Sequence, residues 1–360
     1  MRQAVLVLIL PRADVRCDDG EYPIAGQSMR RLPFPFLIGL LLTCQLTRAQ
    51  AIPHAPETQV PESPKPTPAK PADPPQPSTP DSLLAQGKSL YQANDLTHAE
   101  IALRTYLAAK PASAEAAYLL ARLLERTNAP KDSLGWFTKA AALSPPSPED
   151  LRFVGMDYVL LNDYPDALHW LGRSVQADPA NAEAWYDLAR ASMMQDDYTA
   201  AEKALRKSLA LHPKSVKAED NLGVVYEAQN RTSDAAEAYQ RAIAWQASDP
   251  HPSEQPLLNY GKLLLTQGRS ADALPLLAQA AELAPRDPKT HEHLAHALDQ
   301  QGQLPQAEQH MQQAIDLDPG NAALHFQLGQ MYRRSGELEK SRQELAASSR
   351  LYGTRSTPDR

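Results

Sequence analysis

His291, His293 and His296, with Glu292 between the first two, are the densest group of metal-ligand or proton-carrier side chains in the sequence. A helical zinc site of the H-E-x-x-H kind needs a second histidine four residues after the first. That position is Ala295. His293 and His296 are one helical turn apart, but two imidazoles without a third ligand do not close a tetrahedral site. Asn230-Arg231-Thr232 matches a glycosylation sequon, a pattern short enough to be frequent by chance. No glycine-rich phosphate loop, no G-x-S-x-G elbow and no nucleophile with a neighbouring base is present. The expectation is a chain without catalysis, cofactor or metal.

Composition narrows the partners. The formal charge is -7 over 360 residues, which disfavours nucleic acid, because such affinity rests on clustered Lys and Arg. Both cysteines, Cys17 and Cys44, precede Gln50. Arg30 and Arg31 lead into an apolar run from Leu32 to Leu46, and Thr47-Arg48-Ala49 offers small residues where a signal peptidase reads. The reading is a signal peptide over 29–49, an upstream extension over 1–28 with translation from Met1 or Met29, and an exported, periplasmic or envelope-associated bacterial protein. Of the 32 prolines, 11 fall between Pro53 and Pro80. Residues 50–79 therefore read as an extended linker, since each proline fixes φ and removes a donor.

The elements that must position any site recur at a fixed interval. In Ala182 to Ser215, Trp185, Leu188 and Ala189 share one face of a first helix, and Ala201, Leu205, Ser208 and Leu209 one face of a second, both at helical spacing. A small residue marks each first helix: Gly87, Ala121, Gly155, Ala189, Gly223, Gly261, Ala295 and Gly329, 34 residues apart except for one interval of 38. Thr79, Ser113, Ser147, Asn181, Ser215, Ser253, Asp287 and Asn321 precede the segments as helix caps. Asn94, Asn128, Asn162, Asp196, Asn230, Gly268, Gly302 and Gly336 occupy the intervening turn, where a left-handed residue is wanted. Ala99, Ser133, Ala167, Ala201, Ala235, Ala273, Ala307 and Ser341 keep the second helices narrow, and Pro111, Pro145, Pro179, Pro213, Pro285 and Pro319 stop them. The four extra residues of the long interval fall in Ser248 to Ser253, predicted as a surface loop. His291 stands where other repeats place Trp185, Leu151 or Leu257, a packing position.

W-x2-L-A, then A-x3-L, then Pro213 resembles the tetratricopeptide repeat, whose period is 34 residues. The resemblance covers residues 80–353 as eight repeats (80–113, 114–147, 148–181, 182–215, 216–249, 254–287, 288–321 and 322–353), with 354–360 as a tail. It implies an all-α fold, a right-handed superhelical solenoid of about eight helical hairpins. The last repeat departs from the pattern with Ser341, Ser348 and no terminal Pro, and its Lys340, Arg342, Gln343 and Arg350 suit a solvated capping helix. The function implied is a non-catalytic scaffold whose first helices line a concave surface for a partner protein or peptide. The alternative is an accessory subunit supporting an envelope enzyme or an assembly or secretion complex.

That family geometry nominates Tyr118, Arg122, Phe153, Met156, Tyr186, Arg190, Asn221, Asn259 and Lys262 as partner-binding residues. Asn221 and Asn259 are expected to hold the backbone of a bound peptide, since an amide side chain both donates and accepts. Leu119, Phe153 and Met156 would take an apolar anchor. Met156, Val159, Leu160, Met193 and Met194 add an adaptable apolar surface. The family's clamp for a terminal carboxylate pairs a cation with Asn after the markers; Lys88, Arg122, Arg190 and Lys262 supply cations, but the full pattern is missing.

Overall fold

A computed structural model describes residues 80–355, and the expected upstream extension, signal peptide and linker lie outside the described residues. Sixteen helices follow one another: α1 (Pro80–Gln92), α2 (Leu96–Ala109), α3 (Ala114–Arg126), α4 (Pro130–Leu143), α5 (Pro148–Leu160), α6 (Tyr164–Ala177), α7 (Ala182–Met193), α8 (Tyr198–Leu211), α9 (Val216–Ala228), α10 (Thr232–Gln246), α11 (Gln255–Thr266), α12 (Ser270–Leu283), α13 (Pro288–Gln300), α14 (Leu304–Leu317), α15 (Ala322–Ser335) and α16 (Leu338–Arg355). Each odd-numbered helix packs on the next, and the hairpins stack in chain order as a superhelical solenoid, with no strand among the described residues. None of these helices is long and apolar enough to cross a membrane.

Local chemistry sets each boundary. All eight turn residues have positive φ, from 55° at Asp196 to 85° at Gly336. This closes the first helix and reverses the chain. Ser113, Ser147, Asn181, Asp287 and Asn321 accept hydrogen bonds from first-turn amides as expected, Ser147 within a reciprocal capping box with Asp150. Ser215 does not cap with its side chain; Glu254 stands at the cap position of α11, and Ser253 still accepts from the amide of Gln255, the first residue of that helix, at 3.2 Å. Asp95, Asp163 and Asp197 cap second helices, a role the repeat pattern alone does not assign. Six second helices end two residues before their prolines.

The hairpins close at the small residues. A Cβ built on Gly223 would lie 2.4 Å from the Tyr239 ring, and one on Gly155 would lie 2.6 Å from Leu171. The small second-helix residues, from Ala99 to Ser341, are all buried. Ser133 and Ser341 also donate to the carbonyls of Ala121 and Gly329, at 2.9 and 2.8 Å, tying second helix to first. The last helix carries the solvated face expected of it. Lys340, Arg342, Gln343 and Arg350 are exposed, but Ser341 and Ser348 are buried with their hydroxyls on backbone carbonyls. α16 also continues to Arg355, two residues past the expected repeat end. The 38-residue interval is a loop over residues 247–254, as expected.

Candidate protein-binding face

Successive first helices touch one another, α1 with α3, α3 with α5, α5 with α7, α9 with α11 and α11 with α13, while no successive second helices pack to that extent. The row that comes closer together is the inner row, so the first helices line the concave side.

On that side, residues three before the marker of one repeat reach residues two before the marker of the next. The Arg152 guanidinium donates to Asp187 at 2.6 Å, and Asn221 Nδ2 donates to the Tyr186 hydroxyl at 3.0 Å. Asn259 Nδ2 contacts both oxygens of Asp220 at 3.0 and 3.1 Å, and Gln327 Nε2 donates to Glu292 at 3.1 Å. The partners are 35 residues apart, and 39 across the insertion. Sequence reasoning misses this ladder, although the 34-residue period contains it. Burial pushes the Asp220 carboxyl up to about 6, opposed by the amide of Asn259.

The nominated residues therefore divide. Tyr118 is buried and donates to the carbonyl of Ser144 at 2.6 Å. Arg122 pairs with buried Asp150 at 2.7 Å. Asn259 is buried, its NH2 on Asp220 and its carbonyl oxygen accepting from Gln255 at 3.2 Å, so its amide is filled by the protein itself. A peptide backbone would have to displace those bonds. Asn221 is half-buried and keeps its carbonyl oxygen free of protein partners. Half-buried Phe153 lies between two guanidiniums, 4.7 Å from that of Arg152 and 5.9 Å from that of Arg122. Arg190 and Lys262 are exposed.

Exposed large apolar side chains occur along the whole solenoid, from Ile101 to Tyr352, and two of them share one register in repeats three and four. Leu160 is 40% and Met194 is 56% exposed, at the same register of neighbouring first-helix ends, beside half-buried Met156, Val159 and Met193.

His291 is buried, its Nε2 3.0 Å from the Pro285 carbonyl and its ring stacked on His310. Trp185 Nε1 donates to Pro179 in the same way at 3.0 Å, and His325 Nε2 lies 3.3 Å from the Pro319 carbonyl. The position is structural in all three repeats. Burial pushes His293 down to about 4, so it is neutral at neutral pH. Among the described residues no cluster of His, Cys, Asp or Glu is placed to hold a metal ion.

Models of the tetratricopeptide repeat match residues 84–148, 258–322 and 300–353, and the model of the cilia and flagella-associated protein 70 middle TPR-like domain matches 151–284. The chain is a tetratricopeptide repeat protein. A curated relative, the TPR repeat-containing thioredoxin TTL4 of Arabidopsis thaliana, is 33% identical over 88 residues, 24% of this chain and 13% of that protein. The match thus spans a small part of its length. A tetratricopeptide repeat protein from Parabacteroides merdae superposes with a TM-score of 0.56 at 16% identity, covering 73% of this chain and 98% of the other. Cut9–Hcn1, from the APC/C, gives 0.55 at 16%, covering 75% and 53%. PilW, a type IV pilus biogenesis factor, gives 0.50 at 22%, covering 55% and 90%. These likenesses concern the fold.

Proposed function

We propose that this protein is an exported, non-catalytic scaffold that holds a segment of a partner protein on its concave face. The observation that carries the reading is the pairing of exposed Leu160 and Met194 on successive repeats, flanked by Met156, Val159 and Met193. Four polar pairs on this face are joined from repeat to repeat, whereas an exposed apolar surface is where a ligand gains most by burial. Thioether side chains adapt to varied anchors. Phe153, Tyr186, Arg190, Asn221 and Lys262 extend the surface, the two cations suiting acidic residues in the partner. Export rests on the sequence from Arg30 to Ala49. N-terminal sequencing of protein from fractionated cells should find a start near Gln50 outside the cytosol; a cytosolic pool that retains Leu32 to Leu46 would sink that part.

The binding reading is tested by Leu160→Glu with Met194→Glu. Partner recovered with the wild-type protein from envelope extract should be lost, by on the order of tenfold in affinity or more, given about 1 to 2 kcal/mol for each buried anchor. Thermal unfolding should fall only modestly, because both side chains are already partly in solvent, Met194 more than Leu160. Undiminished capture would place the binding surface elsewhere.

A further inference from the structure

A cavity of about 440 Å³ opens where repeats four, five and six meet, against the four-residue insertion. Ser215, Val216 and Lys217, the start of α9, form part of its wall, with Lys214, His251 and Tyr186 around them. Five other first helices turn a cap side chain onto their own amides, but the Ser215 hydroxyl makes no protein hydrogen bond, although Ser215 is only 7% exposed. The amides of Val216, Lys217 and Ala218 likewise have no protein acceptor. A helix start left in this state presents donors and the positive end of the helix dipole together.

The acids nearby are already engaged. Asp249 accepts from the His251 amide at 2.9 Å, Asp220 holds Asn259, and Glu183 takes Lys217 at 2.5 Å. Lys214 is exposed and makes no ion pair. The free groups around the cavity are the first-turn amides, the Ser215 hydroxyl, the Lys214 ammonium and the His251 ring, against the free carbonyl oxygen of Asn221, so donors outnumber acceptors. Converging donors call for an acceptor-rich, negatively charged ligand.

We infer that this junction is an oxyanion-binding pocket, in which the Ser215 hydroxyl, the amides at the start of α9 and Lys214 hold a carboxylate or phosphoryl group. The oxyanion takes the place of the missing cap and completes the helix start from outside. This pocket shares Tyr186 and Asn221 with the edge of the proposed binding surface but not Leu160 or Met194, so its test uses small ions and its failure leaves the scaffold reading standing.

Inorganic phosphate and, separately, acetate are titrated into the full-length protein while the amide resonances of Val216, Lys217 and Ala218 are followed. Saturable shifts with phosphate alone assign a phosphoryl ligand, with acetate alone a carboxylate, and with both a general oxyanion site. Ser215→Asp supplies an internal carboxylate cap, so it should abolish the shifts while preserving or raising the unfolding temperature. Lys214→Gly removes the cation where φ is +66° and glycine fits better, so it should weaken binding several-fold without loss of stability. Absent or non-saturable shifts with both ions, or binding by Ser215→Asp equal to wild type, would overturn the assignment.

Discussion

Asn259 Nδ2 sits 3.0 and 3.1 Å from the two carboxylate oxygens of Asp220, bridging repeats five and six across the insertion. An amide that donates and accepts suits an extended peptide, and the same property makes it suit a neighbouring repeat. Here the neighbour has the prior claim. Stacked repeats depend on their nearest-neighbour interfaces, and the concave ladder is one such interface.

Asn259→Ala should therefore lower stability by about 1 to 3 kcal/mol, because it leaves the buried Asp220 carboxyl without its donor. Asn221→Ala should cost less, since its partner, the Tyr186 hydroxyl, is half-buried. Urea unfolding of the two variants at neutral pH checks the order. An unchanged midpoint for Asn259→Ala would return that side chain to the role of a free, ligand-facing amide.

Two glycines in helices should respond to alanine with opposite signs. At Gly223 a methyl group meets Tyr239 at 2.4 Å, and that ring is fully buried with its hydroxyl bonded to Glu227. Overpacking of about 1 to 3 kcal/mol then outweighs the roughly 1 kcal/mol that alanine contributes to a helix. Nothing lies within 4 Å of a Cβ at Gly135, so there the propensity gain should stand alone. Gly223→Ala should melt below wild type and Gly135→Ala above it; the same direction for both would contradict the close approach of the α9 and α10 helices.

Much of this fold was legible because one 34-residue rule is written eight times. The turn residues, small contact residues and stopping prolines each recur at one register, and the structure places all eight turn residues at positive φ. The candidate site was less legible. Asn221 and Asn259 share a register but differ in role, because what a concave side chain meets is decided by a residue 35 or 39 positions away. The family pattern says nothing of that partner. Ser215 looked like any other cap, and only the geometry beside the insertion sets it apart. The Leu160 and Met194 surface was visible as an apolar register, while its exposure depended on what the neighbouring helices leave uncovered.

Asp157 makes the contact between repeats two and three sensitive to pH. Its Oδ2 lies 2.5 Å from the Ser133 Oγ, whose single proton is shared between that oxygen and the Ala121 carbonyl at 2.9 Å. Burial pushes the Asp157 carboxyl up to about 8, against an ordinary 3.8, with the nearby Glu125 charge adding to the rise and the Ser133 hydroxyl opposing it. Between about pH 4 and 8 the folded protein binds a proton at Asp157 and the unfolded chain does not, so this site contributes stability that is complete in acid and falls as pH rises. An asparagine side chain at this position would not ionise, and its NH2 could donate to Ser133 in the same place. Asp157→Asn should match wild type near pH 4 and exceed it by about 1 to 3 kcal/mol near pH 8, the scale of a buried polar group left without compensation. The difference between the two unfolding curves across this range isolates the site from other titrating groups such as Asp220. A gap that stays constant with pH, or lower stability of Asp157→Asn than of wild type at pH 8, would mean that Asp157 is ionised in the folded protein and that the Ser133 contact is made without its proton.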